Sequence, residues 1–397
     1  MIDIRIQRSL TSKKIKALYD DYLYEKNYSG EFRIILPKEI EKYRFGVFAE
    51  LLQFLITLNN EYIVKEIKLS IDSAEDLNKV YEQEFIYPIV SLFWNSTKFT
   101  NIKGDLIKDE LRSLQNDFFI KMNSFQRLKS NKSLLINIDH FSNSKGLIKL
   151  FENANGFNEN EEQIIDVIKK ILKKNILTYN FNNLIEFENI LSDIGAIIYE
   201  LIKNTFEWGK SDKYDVPINP SIRGLYLRFH SNMYENAIQD FENTPIGFFL
   251  NDEVIKQNCV TDYEKIDYLE ITVFDSGIGF IDKFQDKNGL DDITILKKCL
   301  IKNQTSSTTN LKSKKGLGLD RILKTIDKKG FLKISTDKYV AYRNMIKDEY
   351  SQIDINNLAD LIIEDWNNNE FNSSDNKKLS GTFISILYPF NYSSYQN

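Results

Sequence analysis

The stretch Leu269-Glu270-Ile271-Thr272-Val273-Phe274-Asp275-Ser276-Gly277-Ile278-Gly279-Phe280 decides how the second half of this chain is read. Leu269, Ile271 and Val273 alternate with Glu270, Thr272 and Phe274, which is the period of a β-strand. The strand runs into an acid and then two spaced glycines. A carboxylate at the end of a strand, with glycines where backbone has to come close to a planar ligand, suits a buried acid that accepts a hydrogen bond. A glycine-rich turn after a strand is common enough that it gains meaning only from its neighbours.

Upstream lies Asp193-Ile194-Gly195-Ala196-Ile197-Ile198-Tyr199-Glu200-Leu201-Ile202-Lys203-Asn204-Thr205-Phe206-Glu207-Trp208. Ile194, Ile197, Ile198, Leu201 and Ile202 recur at helical spacing and form the buried stripe, while Asp193, Glu200, Asn204 and Glu207 fall on another face. Glu200 and Asn204 are one turn apart. Downstream, Lys315-Gly316-Leu317-Gly318-Leu319 opens a helix whose apolar face is Leu319, Ile322, Leu323 and Ile326. Backbone amides at such a start, with no side chain in the way, are where phosphate oxygens bind. Gly330 to Thr336, Tyr339 to Arg343 and Gly381 to Pro389 then read as closing strands.

ExxxN on a helix, DxGxG after a strand, GLGL opening a helix and Gly381-Thr382 entering a last strand occur here in fixed order. This order resembles the N, G1 and G2 boxes of the GHKL ATPase superfamily: gyrase, the large heat-shock chaperones, MutL and the histidine kinases. The resemblance covers about residues 185 to 390. It implies a Bergerat-type fold that binds ATP with Mg²⁺. By that resemblance Asn204 coordinates Mg²⁺, Asp275 accepts the adenine amino group, and Gly277, Ile278 and Gly279 shape the base pocket. Thr382 reaches the adenine, and Lys315, Gly316, Leu317, Gly318 and Leu319 face the phosphates. Glu200 matches the general base of the hydrolytic members, and Glu207 an acidic position on the same helix. The implied ATP lid is 281–315, where Lys312, Lys314 and Lys315 are equal candidates for the γ-phosphate.

Three functions share this pocket: a slow ATPase acting as a conformational switch, an anti-sigma-factor-type serine kinase, and a nucleotide-binding scaffold without turnover. Glu200 supports the first, since histidine kinases often lack a carboxylate there, though the anti-sigma-factor-type kinases also carry that glutamate. His140 and His230, the two histidines present, lack the surroundings of a phosphoacceptor and read as structural.

Before residue 185 the pattern changes. Phe32 to Leu36 reads as a strand, Val47, Leu51, Leu52, Leu55 and Ile56 as a helix stripe, and Ile63 to Ile71 as a second strand, with Ser133 to Ile138 closing the module. The expected architecture is therefore α/β and α+β. A small α/β module over 1–150 is joined by a connecting helix in 151–184 to a Bergerat-type α/β sandwich over 185–392, a mixed sheet covered by helices. An insertion at about 210–265 separates Asn204 from the Asp275 strand and has no assigned role.

Composition narrows the partners. Net charge is −5, so there is no global cationic field for nucleic acid. No apolar run approaches the roughly 20 residues that span a bilayer, and the first residues lack a secretory apolar core. A cytoplasmic protein is expected, with ATP or ADP, and a protein partner or a second copy, as its ligands. Cys259 and Cys299 are too few for a disulfide framework or a thiolate metal site.

Overall fold

The computed structural model describes residues 1–24, 28–41, 44–73, 75–178, 188, 190–284, 289–301, 318–353, 357–367, 371 and 378–391. The N-terminal part is built on four parallel strands in sequential order, β1 (Ile2–Arg5), β2 (Phe32–Leu36), β3 (Val64–Leu69) and β4 (Lys98–Thr100). Helices α1 (Ser12–Tyr19), α2 (Val47–Glu61), α3 (Glu75–Val80) and α4 (Ile86–Phe93) make the crossovers that parallel strands require. Helix α5 (Lys108–Asn123) follows.

Strand β5 (Lys132–Ile138) leaves this sheet. The sequence assigns it to the N-terminal module, but it pairs antiparallel with β8 (Ile222–Met233), from Lys132↔Arg228 to Ile138↔Ile222. After a short turn (Asn143–Gly146) and a two-stranded hairpin, β6 (Glu152–Asn153) and β7 (Gly156–Phe157), the chain enters helix α6 (Glu161–Ile171). This helix stands where the connecting helix was expected, buries Ile164, Ile168 and Ile171, and runs on into a wider turn at Leu172–Ile176. Helix α7 (Leu191–Trp208) then carries the ExxxN motif.

The remaining elements are α8 (Tyr234–Asp240), α9 (Pro245–Leu250), α10 (Glu253–Cys259), β9 (Lys265–Asp275), α11 (Phe280–Lys283), α12 (Asp292–Cys299), α13 (Gly318–Thr325), β10 (Phe331–Asp337), β11 (Tyr339–Asn344), β12 (Glu364–Asp365) and β13 (Leu379–Pro389). The second sheet has the order β12-β11-β10-β13-β9-β8-β5. Every pairing in it is antiparallel. The mixed sheet expected for this half is thus corrected to an antiparallel one. The segment read as an insertion contributes β8, which pairs with β9 along its whole length.

Two layers cover this sheet. Consecutive strand residues point to opposite faces, and Phe274 and Asp275 show what each face meets. Phe274 lies edge-on to Phe48 of α2, which also stacks on Tyr226 with ring centroids 4.4 Å apart. Asp275, on the other face, packs against Gly209 at the end of α7. Helix α2 is consequently buried nearly all round, from Val47 to Leu58, because it also meets the N-terminal elements, with Phe54 edge-on to Tyr19 of α1. The stripe expected from sequence is part of a helix enclosed on nearly every side. One continuous apolar core runs through both halves of the chain. Both cysteines are free thiols, and no helix among the described residues is long and apolar enough to cross a membrane.

The two histidines are structural. Nε2 of His140 lies 3.0 Å from the Ser91 carbonyl, and its Nδ1 accepts the Ser221 N–H at 3.2 Å, so the ring ties α4 to the start of β8. His230 is stacked on Tyr268 and bonded to Glu270 at 2.8 Å, and burial pushes its pKa down and that of Glu270 up to about 7, both toward the neutral form.

Candidate functional site

The site is centred on the C-terminal end of β9, where Asp275 is held at 8% exposure between three segments. The first is the end of the ExxxN helix. Gly209 stops α7, and a Cβ there would come within 2.5 Å of the Asp275 Cβ, so only glycine permits this approach. The second is the glycine turn itself, with Gly277 donating its N–H to Asp275 Oδ1 at 2.8 Å. The third is the closing strand. Thr382 sits opposite Asp275 in the β13/β9 register, and Gly381, at φ +82°, donates its N–H to the Gly277 carbonyl at 2.8 Å. A Cβ on Gly381 would run into the Asp275 carbonyl.

The electrostatics follow from this packing. Burial pushes the Asp275 carboxyl up to about 7, against the opposing pull of the Gly277 and Thr382 backbone N–H groups and of Arg223. Arg223 lies opposite Asp275 in the β8/β9 register and is 1% exposed. It pairs bidentately with Asp139 and bonds Glu152, so its charge is committed there. Asp275 is thus a buried acid without a dedicated cationic partner.

Beyond the turn, Gly279, at φ +92°, lies so close to the Asp337 carboxylate that a side chain there would collide with it. Asp337 accepts the Ile281 N–H at 3.0 Å, and its pKa is raised by burial. Thr336 Oγ1 accepts the Phe280 N–H at 3.0 Å and lies 3.1 Å from Thr382 Oγ1. These contacts fix the start of α11, which opens the segment expected to be a lid. Ile278 is half-buried between the two glycines.

Glu200, Asn204 and Glu207 share one face of α7, all half-buried. The Glu200 pKa is raised by burial, partly offset by Lys203 and Arg321. Arg321 belongs to α13 and also pairs with Asp193 of α7 at 2.9 Å, so the helix after GLGL lies along the ExxxN helix. The Asn204 side chain makes no hydrogen bond to any described residue, which leaves its amide available to an external group. Gly318 begins α13 and Leu319 lies in its first turn. Lys315, Gly316 and Leu317, and the lid lysines Lys312 and Lys314, lie outside the described residues.

Five further residues contribute: Gly209, Arg223, Thr336, Asp337 and Ser276. Gly209 carries a signal, as a glycine stopping a helix, but not one that names its partner. Arg223, Thr336 and Asp337 are ordinary residues of strands that meet Asp275 and Gly279 only through sheet pairing. Ser276 is another of that kind, bonding Ile222 in both directions and pinning the turn to β8.

Among the described residues no group of three or more His, Cys, Asp and Glu side chains is placed to hold a metal. Mg²⁺ characteristically keeps several waters and takes one or two protein ligands with substrate phosphates, and the unengaged Asn204 amide fits that mode. Comparison with protein-family models, with curated proteins and with solved structures gave no match, so the chemistry of this site is argued from its own geometry.

Proposed function

We propose that this chain is a Mg²⁺-dependent ATP-binding protein of the Bergerat type that hydrolyses ATP slowly and uses the cycle as a conformational switch. The observation that carries the proposal is the convergence on Asp275 of three segments far apart in sequence: the end of the Glu200–Asn204 helix, the Gly277–Gly279 turn and Gly381–Thr382. A buried acid flanked by glycines, with a threonine hydroxyl beside it, is suited to an adenine edge. The Asp275 carboxyl accepts the exocyclic amine, the glycines let the ring approach, and Thr382 Oγ1 offers a further polar contact. Asn204 and Glu200 lie along the same helix at one- and two-turn intervals from its end, on the side of α13, whose start is suited to phosphates. Mg²⁺, when bound, supplies charge neutralisation on the phosphate oxygens.

Asp275→Asn tests the adenine contact. The amide presents a donor toward a donor, so ATP affinity is expected to fall by at least roughly tenfold in calorimetric titration. ATP and ADP are expected to bind better than GTP. Wild-type affinity in the variant, or equal binding of GTP, removes Asp275 from a base pocket.

Asn204→Ala tests the metal contact. Binding of ATP in Mg²⁺ is expected to weaken by roughly tenfold or more, while binding in EDTA changes little, since only the metal-linked part is lost. Equal weakening in both conditions assigns Asn204 a structural role instead. Following labelled ATP separates the modes of use: free phosphate marks an ATPase, phosphate on a protein serine marks a kinase, and neither marks a scaffold.

A further inference from the structure

Helix α2 is apolar along almost all of its buried length, and Gln53 and Thr57 are the polar residues among those it encloses. They lie one turn apart on one face, and Asn60 continues the same line. A buried amide and a buried hydroxyl in an apolar helix need partners, and here the partners belong to the C-terminal sheet. Ser335 Oγ of β10 donates to Gln53 Oε1 at 2.6 Å, the Ser380 N–H of β13 donates to Thr57 Oγ1 at 3.0 Å, and Asn60 Nδ2 donates to Ser380 Oγ at 2.9 Å. Gln53 Nε2 lies between the Ser335 and Ser380 carbonyls, at a long 3.5 Å from each.

Ser380 sits at a break in the sheet. The β10/β13 register runs from Phe331↔Leu387 to Thr336↔Thr382 and resumes at Asp337↔Leu379, so Ser380 and Gly381 bulge out of the ladder. The pairing of β13 with β9 begins only at Thr382. The backbone N–H groups of the bulge are therefore met outside the ladder, in two directions. Gly381 donates to the Gly277 carbonyl on the pocket side, and Ser380 donates to Thr57 on the side of α2. Gly381 lies against the Asp275 carbonyl and Thr382 follows it opposite Asp275, so what fixes the bulge fixes the pocket.

We propose that Gln53 and Thr57 are positioning residues of the nucleotide site, holding the Ser380–Gly381 bulge from the N-terminal module in the shape that sets Thr382 beside Asp275. This rests on the reading of that site as an adenine pocket. A bulge beside a site aims the side chains that follow it, and the bonds from α2 select one of the shapes open to it. Helix α2 also packs on α1 and α4, so the pocket and the N-terminal module share this helix. Whatever moves α2 alters nucleotide affinity, and bound nucleotide biases α2 by the same factor.

Thr57→Val keeps the shape of the side chain and removes the acceptor, while Thr57→Ser keeps the hydroxyl. Calorimetry on the full chain is expected to show ATP binding weakened roughly fivefold in Thr57→Val, about the worth of one hydrogen bond, and within roughly twofold of wild type in Thr57→Ser. Amide hydrogen exchange without nucleotide is expected to quicken at Gly381 in Thr57→Val and to stay unchanged at Ile386, further along β13. In an Asp275→Asn background Thr57→Val is expected to cost less than about twofold, because Thr57 acts through the contact already lost. A side chain that only stabilises the fold lowers the melting temperature and leaves both the affinity of the folded protein and exchange at Gly381 as in wild type; that result overturns the proposal, as does equal weakening in Thr57→Ser. Wild-type protein that binds no ATP removes the adenine pocket and this proposal together, whereas wild-type protein that binds ATP no more tightly than Thr57→Val removes only the part given to α2.

Discussion

Replacing Glu200 by alanine is expected to leave ATP affinity near that of the wild type and to lower hydrolysis by on the order of 10² or more. Phosphoryl transfer asks little covalent chemistry of a protein and a great deal of positioning. Glu200 is half-buried on α7, one turn from Asn204, and burial raises its pKa, as suits a carboxylate that takes a proton from water. Its carboxylate has no hydrogen bond to a described residue, so deleting it orphans no hydrogen-bonding partner. The loss is therefore expected in turnover and not in binding. A merely structural glutamate on a helix face predicts stability within about 0.5 kcal/mol of wild type and unchanged turnover. Wild-type phosphate release from folded Glu200→Ala protein would sink the hydrolytic role and leave ATP binding standing. Unchanged binding with loss of label on a protein serine, and no free phosphate from either protein, would mark a kinase.

What was legible in the sequence was what local pattern carries. The stripe Ile194 to Ile202 gave α7, and the alternation at Leu269 to Phe274 gave β9. The same alternation misled in one respect. Alternation of this kind suits a half-buried strand, yet Glu270 and Thr272 are fully buried, because α2 and the insertion cover that face. Glu270 is satisfied there by the Gly46 N–H at 3.0 Å and by His230, partners about 224 and 40 residues away. A strand covered on both faces by residues distant in sequence cannot announce it in its own period.

Sheet membership failed for a similar reason. Leu134 to Ile138 is a short apolar run that serves equally as a last parallel strand or an antiparallel edge, and only its pairing with Tyr226 to Ile222 decides. The insertion was invisible as part of the sheet because a motif fixes the order of its own boxes and says nothing of what pairs between them. Within the site, Asp275 and the glycines were legible because their type is demanded by the backbone at that point. Arg223, Thr336 and Asp337 were not, since their roles arise from cross-strand neighbours.

Asp275→Asn is also expected to change how stability depends on pH in the absence of nucleotide. In the folded protein burial holds the Asp275 carboxyl at about 7, while in the unfolded chain it titrates near 3.9. Below about pH 4 both states keep the proton, and this group contributes no pH dependence. Between about pH 4 and 7 the folded state keeps a proton that the unfolded state has released, so its contribution to stability falls as pH rises. Above about pH 7 both states are ionised and the penalty is constant; about 3 units at 1.4 kcal/mol each makes it roughly 4 kcal/mol. Asparagine does not titrate, and any cost of placing its amide beside Gly277 is the same at every pH. Urea denaturation of the two proteins at pH 4, 5.5, 7 and 8 is therefore expected to show the variant gaining on the wild type by a few kcal/mol up to pH 7, then levelling. A difference constant to within about 1 kcal/mol over that range would mean that Asp275 is not a desolvated acid, whatever it binds. Adding ATP should then narrow the variant's advantage at high pH. A ligand stabilises the state that binds it by RT ln(1 + [L]/Kd), about 2.7 kcal/mol at a hundredfold excess over Kd, and a variant that binds tenfold more weakly gains only about 1.4 kcal/mol of it. An acid that weakens the empty fold and is repaid only when adenine is present is what distinguishes a binding group from a packing one, because replacing a packing residue costs stability with or without ligand.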